Sequence, residues 1–211
     1  MGQRWGCLSQ DRQSRFVIAW AAASTEEEAA PPVVRMTRKR TYAQIGCAWI
    51  SDGNPVYAEQ IKKVYRDPQP TGKPGRPPLL LRSDVGLTQG VKQREHGRVI
   101  GLRVRAVLGQ AVSCAVCVCE ERLNGLLRDR LNCLTRKTHA FAKHALTWDA
   151  AVGLCLFEHN WLKPHQALRQ RQAGLLEGRK YLRRTPAMAV SLTDHVWTWE
   201  EFLSLPVRQY K

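Results

Sequence analysis

Acidic residues are scarce in this chain of 211 residues: 18 Asp and Glu face 33 Lys and Arg, giving a formal net charge of +15 and a pI near 10.0. Such an excess repels itself and favours a polyanionic partner, most simply nucleic acid. A signal peptide and a long uncharged apolar run are both missing, so the reading is of a chain that does not span a membrane. Acidic phospholipid competes as a partner, but no basic stretch has the form of an amphipathic membrane-surface helix. The cysteines do not make an even set. Seven of them, at 7, 47, 114, 117, 119, 133 and 155, point to free thiols in a reducing cytoplasm. No repeat is visible, and no Ser or Cys stands in a nucleophile-elbow signature, which argues against a Ser/His/Asp or Cys/His hydrolase. The length suits one substantial domain, or one domain with small appendages.

What is present centres on the stretch from Val112 to Ala167. Cys119, Leu123, Leu126, Leu127, Leu131 and Leu134 recur at three- and four-residue steps, which predicts a helix with one buried face. Glu121, Asn124 and Arg128 then form a polar stripe beside it. An ordinary solvated ion pair explains such a stripe. A divalent-metal site instead requires carboxylates delivered from other elements as well.

Upstream, Trp5 to Ser9 and Arg15 to Ala22 flank the polar tip Asp11-Arg12-Gln13-Ser14, which predicts a hairpin. Thr25-Glu26-Glu27-Glu28 opens a helix running to about Tyr42, continuous or broken at Pro31 and Pro32. Ile45 to Ile50 predicts a strand ending in Ser51-Asp52-Gly53, followed by a helix from Pro55. A carboxylate is thereby put at the carboxyl edge of a sheet, where α/β ligand sites form; Asp52 could equally just open the turn. From Asp67 to Pro78 prolines and glycines forbid regular structure. In that segment Lys73 and Arg76 either follow a phosphate track or are incidental charges of a surface loop.

Strands follow at Gly86 to Gln93 and near Arg98 to Leu108. In the second, Arg103 and Arg105 share a face by two-residue alternation. Lys92, Arg94, Arg98, Arg103 and Arg105 make either a basic wall beside a cleft or a solvated edge. Phe141 to Asn160 predicts a helix with Ala145, Trp148, Val152, Cys155, Leu156 and His159 near one stripe. Asn160 to Arg169 forms an ordered turn, Gln172 to Arg184 is charged and exposed, and Thr198-Trp199-Glu200-Glu201 matches a capping box. Cys114, Cys117 and Cys119 with His139 and His144 hold zinc-finger ingredients at the wrong spacing, and buried thiols are the better reading.

Ser51-Asp52-Gly53 before Tyr57, Glu120-Glu121-Arg122-Leu123-Asn124-Gly125-Leu126-Leu127-Arg128, Thr135-Arg136-Lys137-Thr138, Asn160-Trp161 with Pro164-His165, Arg184 to Ala189 and Leu192-Thr193-Asp194-His195 follow one another in order. The series resembles the catalytic half of DDE-type insertion-sequence transposases with a ribonuclease H-like fold. The resemblance implies an α/β domain over residues 1–168, a mixed sheet flanked by helices with its first strand missing or incomplete, and a basic tail over 169–211 with a short terminal helix. It makes Asp52 and Glu121 catalytic and metal-binding acids for Mg2+ or Mn2+. It turns Arg122 and Asn124, beside Glu121, toward DNA, and with a nucleic-acid partner the basic Lys73, Arg76, Lys92, Arg94, Arg103, Arg105, Arg128, Arg136 and Lys137 are expected to contact DNA as well. It implies DNA ends and target as partners, association with itself or with a complete transposase, and a cytoplasmic, nucleoid-associated location. The family's first aspartate has no counterpart, because Asp11, the only early Asp, falls in a turn. The implied protein therefore lacks the strand bearing that acid and the amino-terminal DNA-recognition region, and is impaired in cutting and joining DNA.

Overall fold

A computed structural model of the protein describes residues 4–41, 47–72, 74–109, 118–135, 139, 142–171 and 180–206. Its contacts divide the chain into two compact units, one of residues 2–9 and 18–122, the other of residues 1, 10–17 and 123–211.

In the first unit β1 (Trp5–Gln10) and β2 (Val17–Ala23) form a two-stranded sheet. Helix α1 (Glu26–Arg40) follows, capped by Thr25, whose hydroxyl accepts the Glu28 amide. It runs through Pro31 and Pro32 without a break. An interior proline costs roughly 3 kcal/mol, but Ala29, Ala30, Val33 and Val34 are fully buried on one side of this helix. Each valine contributes roughly 1.5–3 kcal/mol, enough to offset the missing amides.

Two small cores share α1. Ala29, Ala30 and Val33 pack with Cys7, Ala19 and Val56 against the hairpin, while Val34 packs with Ile61, Tyr65, Val85, Leu87 and Leu108. The second core covers a mixed sheet of β3 (Ala48–Ser51), β6 (Gly86–Glu95) and β7 (Arg98–Leu108), in the order β3-β6-β7. Strand β3 is parallel to β6 and β6 antiparallel to β7. The crossover from β3 to β6 carries α2 (Pro55–Val64), with Asn54 as its cap and proline in its first turn, the position where a missing amide is harmless. Among the described residues no strand hydrogen-bonds the hairpin to this sheet.

The segment expected to be irregular from Asp67 to Pro78 is pinned at its base. Asp67 and Pro68 belong to β4 (Arg66–Pro68), antiparallel to β5 (Leu79–Leu81). Proline survives there because the ribbon is only two strands wide and a ladder position without an amide is tolerated at an edge. Asp67 is further held by Arg38 at 2.7 Å and Arg82 at 3.5 Å.

The long strands β6 and β7 turn over His96-Gly97, both in the left-handed region, as a two-residue hairpin loop requires. Only Gly86 to Gln89 of β6 face β3. Beyond them the β6–β7 ribbon is exposed on both faces.

In the second unit α3 (Val118–Arg130), which begins in the first, buries Leu123 and Leu127. Helix α4 (Ala145–Phe157) buries Trp148, Val152, Cys155 and Leu156, and continues as a π-helical turn, Glu158–Leu162. Strands β8 (Gln170–Arg171) and β9 (Tyr181–Leu182) pair antiparallel. Two short helices close the fold: α5 (Pro186–Ala189) and α6 (Trp199–Leu203), the latter opened by the capping box of Thr198 and Glu201. Among the described residues no helix is long and apolar enough to cross a membrane.

Candidate functional site

The site begins where β3 ends. Ser51 is paired in register with Gln89 of β6, and Gln89 is only 1% exposed. A buried amide must satisfy its hydrogen bonds internally, and this one bonds on both sides. Its Nε2 donates to the Asn54 carbonyl at 3.0 Å and to the Ser51 hydroxyl at 3.4 Å. Its Oε1 accepts from Arg105 Nη2 at 2.7 Å and Nε at 3.2 Å. The turn carrying Asp52 is thus fastened to the strand beside it. Asp52 Oδ1 accepts the Asn54 amide at 3.1 Å, and Asn54 Oδ1 in turn accepts the Val56 amide at 3.0 Å to cap α2. Gly53 approaches β6 so closely that a Cβ there would lie 3.0 Å from Val91 Cγ2. The carboxylate therefore serves the turn and remains exposed.

Glu121 lies in the first turns of α3 and forms an ion pair with Lys92 of β6. Both side chains are about half exposed, at 55% and 48%. Ser51 and Gln89 share one face of the sheet through their hydrogen bond. Continued one residue past β3, the alternation assigns position 52 to the opposite face, that of Gly90 and Lys92. Asp52 follows the β3 residue paired with Gln89, and Glu121 meets Lys92 three residues further along β6. Among the described residues no group of three His, Cys, Asp or Glu side chains is placed to hold a metal ion.

The basic residues divide between faces. Arg105 and Arg103 pair with Gln89 and Val91 and share their face, whereas Lys92 lies on the other. Arg94 and Arg98 are exposed near the ribbon tip, and Arg76 is exposed in the loop between β4 and β5. On α3, Arg122 and Arg128 are exposed and Asn124 is half-buried. Lys73, Arg136, Lys137, Cys114 and Cys117 lie outside the described residues. Asp11 closes the tip between β1 and β2, its Oδ2 accepting the Ser14 amide at 2.8 Å.

The motif around Asn160 supports structure in the second unit. Asn160 Oδ1 accepts the Val17 amide at 2.9 Å and its Nδ2 donates to the Val17 carbonyl at 3.0 Å, completing the backbone pairing of a strand end. His159 Nε2 lies 3.0 Å from the Arg15 carbonyl, and its ring meets His165 edge-on at 4.6 Å. Burial pushes the His159 pKa down to about 4, and lowers that of His165 as well.

Comparison with protein-family models, with curated proteins and with solved structures finds no match. Function must therefore be argued from the side chains themselves. The residue that sequence reasoning missed is Gln89. Its signal was available, as a long amide at a position where alternation with Leu87 and Val91 calls for an inward side chain.

Proposed function

We propose that this chain is a DNA-binding protein of the DDE transposase type, built on a ribonuclease H-like sheet and, with two candidate acids rather than three, impaired in strand cutting and joining. The observation that carries the reading is that Asp52 follows the end of β3, whose Ser51 pairs with Gln89 of β6, while Glu121 pairs with Lys92 three residues further along the same strand. Two carboxylates there are hard oxygen donors suited to one divalent cation such as Mg2+ or Mn2+. When bound, such an ion polarises phosphate oxygens. The Lys92 ammonium already places a positive charge against Glu121, so a metal ion must displace it. With two acids rather than three, the donor set fits one ion and not a pair.

DNA affinity has its own support. The β6–β7 ribbon carries Lys92, Arg94, Arg98, Arg103 and Arg105 and is exposed past β3. A two-stranded ribbon has the width to enter a major groove. The chain's +15 charge supplies the sequence-independent attraction. Among the described residues the hairpin of β1 and β2 stands as a sheet separate from β3-β6-β7. A free edge of this kind favours pairing with another chain, which fits association with itself or with a complete transposase.

A second reading, a non-catalytic DNA-binding or dimerising remnant, is favoured by the Lys92–Glu121 pair. In it the ammonium is a permanent partner, and the protein acts by occupying DNA ends or by forming mixed oligomers on nucleoid DNA in the cytoplasm. One assay separates the two. The protein is expected to retard duplex DNA in a salt-dependent way and to nick supercoiled DNA weakly or not at all in Mg2+ or Mn2+. Robust nicking abolished by Glu121→Ala would overturn the impairment, and failure to retard DNA at low salt would overturn the DNA reading itself.

A further inference from the structure

Within the second unit lies a cleft of about 440 Å³ lined by Pro164, His165, Gln166, Arg169, Tyr181 and Arg183. It is within the size range of small-ligand sites. One wall is the turn after the π-helical segment, held in place by the His165 amide donating to the Arg184 carbonyl at 2.9 Å. The other wall is the β8–β9 ribbon. Its register pairs Gln170 with Leu182 and Arg171 with Tyr181, so one step further Arg169 stands opposite Arg183. Like charges directly across an antiparallel pair are destabilising. Among the described residues no carboxylate pairs with either arginine, although both are exposed. Arg184, by contrast, is tied down, its Nη2 donating to the Met188 carbonyl at 2.8 Å.

The sequence shows the same bias, since Lys163, Arg169, Arg171, Arg179, Lys180, Arg183 and Arg184 are accompanied by a single acid, Glu177, between positions 163 and 184. The cleft also has a flat aromatic surface. The Arg169 guanidinium lies 4.5 Å from the Tyr181 ring centroid, and Tyr181 is 42% exposed. Two arginines with no carboxylate partner among the described residues call for an anion, and a guanidinium layered on a tyrosine offers a stacking platform. His165, kept neutral near pH 7 by burial, and Gln166 supply polar edges.

We propose that this cleft binds an unpaired nucleotide, with its base stacked on the Arg169–Tyr181 platform and its phosphate between Arg169 and Arg183. The site rests on the nucleic-acid part of the reading above and is independent of Asp52 and Glu121. Duplex DNA keeps its bases stacked inside and can offer only phosphate, so the platform discriminates for single strands.

Fluorescence anisotropy of the full chain with labelled oligo(dT), oligo(U) and a duplex of equal length tests it. Base–aromatic stacking at the usual strength predicts that Tyr181→Leu weakens single-strand binding by about 5- to 150-fold, that Tyr181→Phe retains it, and that duplex binding is unchanged. Arg169→Gln and Arg183→Gln should each reduce the slope of log affinity against log salt by about 0.7 on single strands. The oligomer bound more tightly tells whether DNA or RNA supplies the nucleotide. A folded Tyr181→Leu variant that binds single strands as the parent does, or that loses single strand and duplex equally, overturns the site. Should that variant fail to fold, photocrosslinking of bromouracil-substituted oligomers to the unaltered protein decides. Crosslinks in 164–169 or at Tyr181 support the site, and crosslinks confined elsewhere refute it. Duplex binding without single-strand binding defeats this inference alone, whereas loss of both defeats the proposed function as well.

Discussion

Acidification from pH 7 to pH 5 should destabilise the unit that contains His159. This imidazole is 5% exposed and titrates at about 4, against an ordinary value of 6.5. Desolvation on burial is the main cause, outweighing the hydrogen bond to the Arg15 carbonyl and joined by repulsion from His165. The sign follows from proton counting. Between these two pKa values the unfolded chain binds a proton that the folded chain does not, so stability rises with pH through this window and is lost as pH falls through it. Integrated from pH 7 to pH 5, the shift corresponds to about 2 kcal/mol. His165, also lowered, acts in the same direction, whereas His195, raised by its bonds to Asp194 and Glu201, gives stability that is present below its ordinary pKa and lost as pH rises above it. Urea unfolding followed by tryptophan fluorescence at a series of pH values measures the slope, and His159→Gln isolates its origin. The variant is expected to lose most of the acid sensitivity while being less stable than the parent at pH 7. A variant with the parent's full slope between pH 7 and 5 would show that His159 is not the group responsible.

Two further perturbations probe the Asp52 turn. Gln89→Leu leaves the Asn54 carbonyl and the Arg105 guanidinium without their shared partner, and should cost roughly 1–3 kcal/mol in chemical unfolding; a change below about 0.5 kcal/mol would mean that water replaces the amide freely. Gly53→Ala drives a methyl against Val91 and should cost roughly 1–3 kcal/mol, with Val91→Ala in the same chain recovering part of it; a double variant no better than the single would refute the steric cause.

Much of the fold was legible because it rests on local patterning. The hairpin tip at 11–14, the strands β6 and β7, the buried stripe of α4 and the capping box at Thr198 all follow from periodicity and from residues with fixed turn or cap chemistry. Less legible was anything set by long-range pairing. The sequence of α1 left continuity and breakage at Pro31 and Pro32 open, and only the two cores that share its buried face decide for continuity. The pairing of Asp67 and Pro68 with Leu79 and Leu80 depends on a partner eleven to thirteen positions away, invisible to a scan for prolines. At the candidate site, the positions of Asp52 after a strand and of Glu121 on a helix were readable. That Lys92 reaches Glu121, and that Arg103 and Arg105 face away from it, required the register of β6 against its neighbours. Likewise the opposition of Arg169 to Arg183 exists only once β8 and β9 are paired.

The central claim is that Asp52 and Glu121 serve one cation beside β6. Titration of the protein with Mn2+, followed by electron paramagnetic resonance of the free ion, tests it directly through Asp52→Asn, Glu121→Gln and the double variant. The account predicts one weak site that either single substitution removes and that the double substitution cannot weaken further, because residues acting on one ligand are not additive. Independent losses that sum in the double variant, or Mn2+ binding untouched by both substitutions, would contradict it.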